Sequence, residues 1–210
     1  SVYMMHAEVL TKLDRASEAE EVVNAASAEF KGTTEEVRVM IAQCELAMSK
    51  GESNDALKML EQVSEDSPHF AKAKIALAKI HLEKRNDEEA YMRCYEDVSR
   101  VVGDAKSLVA LADAYMRCGE AHMAVGVYEK AAAMNPGDVA LAVKIGRALV
   151  EGHHFKKAMD YYEGFRASHP GETELQMDLA RLYIQLGRVD PIYWPRAEAV
   201  LQQLLDTFTD

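Results

Sequence analysis

The chain of 210 residues has little of what holds small secreted proteins together, crosses membranes or grips nucleic acid. Its 3 cysteines, Cys44, Cys94 and Cys118, are odd in number and never paired as C-x-x-C. That argues against a disulfide framework and for a reducing compartment. Only 5 prolines interrupt a composition with 11 methionines and 11 glycines, which predicts an all-α chain. No apolar run approaches the roughly 18 residues of a membrane span, and the basic-then-apolar layout of a signal peptide is missing. Direct membrane insertion is therefore not expected. Basic residues are outnumbered 24 to 35, giving a formal net charge of -11, and no basic face is segregated from the rest. Phosphate backbones and anionic lipid are repelled, so nucleic acid is not an expected partner.

What the sequence does have is a period. Pro136 and Pro170 stand 34 residues apart, Pro68 stands twice that distance before Pro136, and each precedes a helical pattern by a few residues. A register of 34 predicts helical hairpins over about 1-36, 37-70, 71-104, 105-138, 139-172 and 173-210. In this register the eighth position carries Cys44, Ala78, Ala112, Gly146 and Ala180, and the twentieth carries Ala56, Ala90, Ala124 and Ala158. Small residues are needed where two helices approach most closely, since a larger side chain there costs about 1–3 kcal/mol. Leu77, Leu111, Ile145 and Leu179 at the seventh position, with Tyr115 and Tyr183 at the eleventh, are expected to fill the space between hairpins. Gly51, Gly119 and Gly187 are expected to close first helices in a left-handed conformation. Arg85 and His153 replace that glycine, and Asp97 and Phe165 replace a small residue at position twenty-seven, so distortion is expected there.

Leu108, Leu111, Ala112, Tyr115, Ala124, Tyr128 and Pro136 resemble the tetratricopeptide repeat signature. The resemblance implies an α-α solenoid of about six helical hairpins wound into a right-handed superhelix. After Gly187 the register breaks: Ile192 stands where Ala is due, and Ala197 arrives five residues late. The lengthened turn carries Ile192, Tyr193 and Trp194, either a docking loop or a lid folded back over the core. Val200, Leu201, Leu204, Leu205 and Phe208 then form an apolar stripe with no repeat after it. Together with a start inside a helical pattern, this suggests a piece of a longer repeat protein.

The first helix of such a repeat lines the concave face. Position five reads Ile41, Ile75, Val109, Val143 and Met177, and position twelve reads Met48, Leu82, Met116, Val150 and Ile184. Between these apolar rows, position nine reads Glu45, Lys79, Asp113, Arg147 and Arg181. A groove of this kind suits an amphipathic helix or the edge of another solenoid, unless the superhelix buries it against itself. The carboxylate clamp of chaperone-binding repeats needs Lys at position five and Asn at position nine, and neither occurs.

No catalytic constellation stands out. His153, His154 and His169 lack a carboxylate or thiolate at helical spacing that would complete a metal tetrahedron. Ser107, Asp113 and His122 contain the residue types of a triad but lie on one hairpin without a nucleophile elbow. Glycine-rich phosphate loops are absent. The carboxylates of "SEAEE" and "NDEEA" read as first-turn residues favoured by the helix dipole. No enzyme activity, cofactor, metal or small-molecule substrate is expected.

The stretch Tyr91 to Glu163 is more specific than a generic repeat. With "CYEDV" in a short atypical repeat, "LADAYM" followed by A-V-x-V-Y-E-K-A, and "VKIGRALVEGHHFKKAMDYYE" after it, the stretch resembles the tetratricopeptide repeat protein 21 family. That family supplies the large all-repeat subunit of intraflagellar transport complex A. The resemblance implies a non-catalytic scaffold for retrograde ciliary transport and cilium assembly, with other complex A subunits as protein partners. The implied location is the cytoplasm, the cilium or flagellum and the basal body region. Two other readings of the residues remain: a generic adaptor binding a helix or peptide in the groove, and a regulatory repeat domain attached to an enzyme.

Overall fold

The structure, a computed structural model, describes residues 2–33, 35–50 and 53–209, and among them the regular structure is helical throughout. The side chains of residues 45, 48–50, 53–56 and 207–209 lie outside the described ones, as do residues 51 and 52, so Glu45, Met48, Gly51, Ala56 and Phe208 receive no placement. Two compact units, Ser1–Gly103 and Asp104–Asp210, appear where the sequence reads as a single array.

In the first unit α1 (Val2–Lys12) pairs with α2 (Ala16–Phe30), α3 (Glu36–Lys50) with α4 (Ser53–Glu61), and α5 (Phe70–Ile80) with α6 (Glu88–Val102). The second unit pairs α7 (Ala105–Arg117) with α8 (Ala121–Met134), α9 (Val139–Glu151) with α10 (Phe155–Ser168), and α11 (Thr173–Gly187) with α12 (Trp194–Thr209). Each hairpin stacks on the next within its unit, through α2 on α3, α4 on α5, α8 on α9 and α10 on α11. This is the α-α solenoid arrangement of tetratricopeptide repeats. Among the described residues no helix is long and apolar enough to cross a membrane.

Aspartates start three of the helices. The side chains of Asp87, Asp104 and Asp138 accept hydrogen bonds from the backbone N–H groups of Ala90, Ser107 and Leu141, at 2.9, 2.7 and 3.1 Å. Each satisfies an N–H without an intrahelical acceptor and places negative charge at the positive end of the dipole. Glu88 and Glu89 follow in the first turn of α6, as the sequence predicts.

Small residues do mark the close approaches. Ala78, Ala112, Ala124 and Ala158 are fully buried, and Cys44 and Ala180 nearly so. Gly146 is the sharpest case: a Cβ there would lie 2.2 Å from the Tyr162 ring, so only glycine admits that buried tyrosine. The turns are less uniform. Gly119 takes φ +77° and ends its helix in the left-handed region. His153 adopts the same conformation, φ 60°, so that turn survives without glycine. Gly187 departs from expectation, because it is the last helical residue of α11 and has no positive φ. Its missing side chain instead admits Trp194, whose ring atoms come within 3.0 Å of where a Cβ would stand.

The largest departure follows α5. Residues His81–Arg85 form a π-helical turn, and Asn86, at φ 51°, carries the left-handed residue one position late. The extra residue shifts α6 by one. Ala90 is consequently only half-buried, and Tyr91 occupies the core instead, together with Cys94 and Val98. Burial pushes the Cys94 thiol up to about 11.

Candidate functional site: the groove of the first helices

The predicted groove residues do not share one environment. Ile75 and Met177 are exposed; Ile41, Val109, Met116, Val150 and Ile184 are half-buried. Leu82 is also half-buried, but it sits in the π-helical turn after α5. Val143 is a correction: at 2% exposure it is core, on a helix with seven buried residues that packs against α8, α10 and α11. A helix apolar nearly all round is an interior helix, and its position-five residue offers nothing to a partner.

The charged row is largely spoken for within the chain. Lys144 Nζ donates to both Asp113 oxygens, at 2.7 and 2.6 Å, and the Tyr128 hydroxyl donates to the same carboxylate. Burial first, then the hydrogen bond to Asp113 and after it the Asp113 charge, raise the Tyr128 hydroxyl far above its ordinary range. One repeat later the signs reverse. Arg147 Nε donates to Asp178 Oδ2 at 2.6 Å and its Nη2 to Glu174 Oε1 at 2.9 Å, while Arg181 Nη1 donates to Asp178 Oδ1 at 2.9 Å. Asp178 is only 7% exposed, and its bond raises the Arg147 pKa further. Both links run from position nine to position six of the following repeat, so charges expected to face a partner also lock neighbouring hairpins in register. The signal was present in the sequence as Lys144 and Asp178, each opposite in sign to the residue 31 positions earlier.

Among the described residues, recesses open beside these first helices. In the first unit a cavity of about 520 Å³ is lined by Ile41, Ala42 and Leu46 of α3, with Lys12, Arg38 and Lys72 among its other walls. In the second unit a cavity of about 340 Å³ lies over Val150, Tyr162 and Leu182, edged by Arg147, Asp178 and Arg181. A third, about 420 Å³, is lined by Arg181, Ile184, Gln185 and Arg188 and shares Arg181 and Gln185 with the second.

The lengthened turn is partly folded back. Pro191–Tyr193 form a single 3-10 turn started by the Asp190 carboxylate, which accepts from Ile192 N–H at 3.1 Å. Tyr193 stacks on Tyr183 with ring centroids 6.2 Å apart, and Trp194 rests on Gly187. Of the predicted docking loop, Ile192 projects most, at 65% exposure, with Val189 near it in sequence at 87%. Ala197, the displaced small residue, is buried. Val200 and Leu204 are buried too, whereas Leu201 and Leu205 are exposed.

The residues considered for catalysis have separate partners. The Ser107 hydroxyl donates to the Asp104 carbonyl, Asp113 serves Lys144 and Tyr128, and His122 lies beside Glu120. His153 meets Phe155 edge-on, and His169 stacks on Phe165 with centroids 4.3 Å apart. Among the described residues no group of three or more His, Cys, Asp or Glu could hold a metal ion.

Comparison with known proteins agrees with this architecture. The family description "Tetratricopeptide repeat protein 21 ARM repeat" matches residues 1–98, its "fourth ARM domain" matches 141–209, and a general tetratricopeptide repeat matches 107–140. The chain is 38% identical over 206 residues to tetratricopeptide repeat protein 21B of Mus musculus, covering 98% of this chain and 15% of that protein. To its Xenopus laevis counterpart it is 36% identical over 205 residues, with the same coverage. The chain thus spans about 15% of the length of these relatives. A crystal structure of a tetratricopeptide repeat protein from Parabacteroides merdae superposes with a TM-score of 0.60 at 13% identity, covering 97% of this chain and 78% of that one, which shows the fold alone.

Proposed function

The chain belongs to the tetratricopeptide repeat protein 21 family, and from that premise we propose that it is a non-catalytic segment of the large repeat subunit of intraflagellar transport complex A. Its hairpins form a repeat scaffold for protein–protein interaction. In this reading the scaffold acts in retrograde ciliary transport and cilium assembly, its partners are other complex A subunits, and it resides in the cilium or flagellum and around the basal body. Supporting the reading is one observation above others: two descriptions of the same family cover residues 1–98 and 141–209, so the likeness reaches far beyond a shared repeat. Half-buried apolar residues beside open recesses, notably Val150 and Ile184, provide the chemistry for a helix or solenoid edge to dock.

The test is affinity purification of the tagged full-length protein from ciliated cells, with mass spectrometry of what accompanies it. Intraflagellar transport subunits are expected in stable proportion. Met116→Glu combined with Val150→Glu is expected to lower their recovery severalfold while leaving the helical circular dichroism unchanged. Loss of helical signal would assign both positions to the core. Recovery of unrelated cytoplasmic proteins, without any transport subunit, would overturn the assignment.

A further inference from the structure

The first-unit cavity of about 520 Å³ lies where later hairpins place a ring and a charge bridge. Between α7 and α9 stands Tyr128, with Lys144 Nζ 5.9 Å from its ring centroid and bonded to Asp113 on the facing helix. Between α9 and α11 stands Tyr162, which leaves a cavity of about 340 Å³ beneath the bond from Arg147 to Asp178. A shift of 37 residues carries the first hairpin onto the second, Ala7 onto Cys44 and Val23 onto Leu60, all four buried. In the same register Val23 is the counterpart of Tyr128 and Tyr162, Ala42 of Lys144 and Asp178, and Glu8 of Asp113 and Arg147.

The first hairpin therefore lacks both the ring and the bridge. Val23 is short, Ala42 carries no charge, and Glu8 accepts from Lys12 on its own helix at 2.8 Å. What remains is an apolar lining of Met4, Ala7, Val23, Ile41 and Leu46. The charged lining sets one carboxylate, Glu8, against Lys12, Arg38 and Lys72, and the balance stays positive when Glu35, which accepts from Arg38 at 2.9 Å, is counted. In a chain with net charge -11 this is a local excess of positive charge beside apolar surface. Walls come from α1, α2, α3 and α5, hence from three successive hairpins of one unit. A helix packed on the other side of α1 would meet Met5 and Val9, the counterparts of Ala42 and Leu46, and would leave the cavity open.

We propose that this cavity receives a bulky aromatic side chain from an acidic helix of a protein partner. The side chain takes the place that Tyr128 and Tyr162 hold in their own hairpins, and carboxylates one turn to either side of it meet Arg38 and Lys72. An aromatic ring buries about 150–250 Å², and rings seated in desolvated pockets are the usual anchors of an interface. A free anion would leave the apolar lining uncovered, and a basic helix would be repelled. The inference deepens the scaffold reading by naming the partner's chemistry, and it rests on that reading.

The probe is an Ala-based helical peptide with one Phe and a Glu one turn to either side of it, titrated by fluorescence anisotropy against the full-length protein. Comparison peptides carry Ala in place of Phe, or Lys in place of both Glu. The Phe peptide with Glu is expected to bind about tenfold tighter than either comparison. Added salt should shrink the difference between Glu and Lys but not that between Phe and Ala. Val23→Tyr, which restores the ring of the later hairpins, should weaken the Phe peptide to the level of the Ala peptide. If the new ring lowers the urea midpoint, Ala42→Met decides instead, because that position is half-buried and its counterpart Lys144 is already long. Arg38→Gln with Lys72→Gln should abolish the preference for Glu and keep the preference for Phe. Equal binding of the Phe and Ala peptides, no binding by any peptide, a tighter Lys peptide, or Phe binding that survives Ala42→Met would overturn the proposal. Failure of the complex A reading would show separately, as an absence of transport subunits beside the purified wild-type protein.

Discussion

Two successive turns, from α5 to α6 and from α7 to α8, do the same task with different numbers of residues. The second closes on Gly119 and delivers Ala124 and Tyr128 to the core in register. The first absorbs one more residue in a π-helical turn, closes on Asn86 and delivers Tyr91 where an alanine was due. A solenoid hairpin therefore constrains the geometry of its turn more strongly than the identity of the residues that follow. Slippage of one residue is tolerated if a side chain of suitable shape arrives at the core position. Tyr91 does so partly by meeting Tyr95 edge-on, with centroids 5.1 Å apart.

The sharpest way to break this comparison is to exchange the demands of the two helices. Tyr91→Ala should destabilise the protein by about 3 kcal/mol, since it empties a buried aromatic site. Ala90→Leu should cost less than about 1 kcal/mol, because that position is half-buried. Ala124→Leu, at the corresponding number in the next repeat, should cost about 1–3 kcal/mol by overpacking a fully buried site. Urea unfolding of the three variants decides the matter. If Ala90→Leu proves as damaging as Ala124→Leu, α6 is not shifted.

A smaller effect separates the turn residues themselves. Gly119→Ala should lose about 1–2 kcal/mol, the cost of a side chain in the left-handed region. Asn86→Gly and His153→Gly should gain a few tenths of a kcal/mol or change nothing, because they relieve the same strain while loosening the unfolded chain. Thermal midpoints of the three variants would show the contrast, and equal losses in all would contradict it.

These differences also mark how far the sequence could be read. The period of 34 and the small residues at Ala78, Ala112, Gly146 and Ala180 are repeated signals, so the hairpins and their close approaches were legible. The π-helical turn is marked only by Arg85 standing where the turn glycine is due, which places a distortion there but reveals neither its form nor the one-residue shift of α6. Gly187 misled because glycine serves two purposes, a left-handed turn or room for a ring, and the ring of Trp194 comes from seven residues onward. The groove was legible as a pattern but not as a surface. Burial of Val143 and the engagement of Arg147 with Asp178 depend on the neighbouring hairpins. Only ion pairs compared across repeats would have disclosed the latter.

The least conspicuous contrast between the two hairpins lies at position eleven, where the later one has Tyr115 and the earlier one His81. His81 is buried at the start of the π-helical turn, and its Nδ1 has no hydrogen-bond partner among the described residues. Burial lowers its pKa; nearby Asp87 and Glu61 oppose the shift, and Arg85 and Lys74 assist it. In the unfolded chain the imidazole returns to about 6.5. Above that pH both states are neutral and the group contributes nothing to pH dependence. As the pH falls below it, the unfolded state takes up a proton that the folded state resists, so stability declines until the folded pKa is reached. His81→Tyr should remove this component while the carboxylates titrate as before. The urea midpoint of the native protein should therefore fall more steeply than that of the variant as the pH passes downward from neutrality through the histidine range. Parallel pH profiles would mean that His81 is protonated with equal ease in both states, and the buried, neutral imidazole would be lost from the account of this turn.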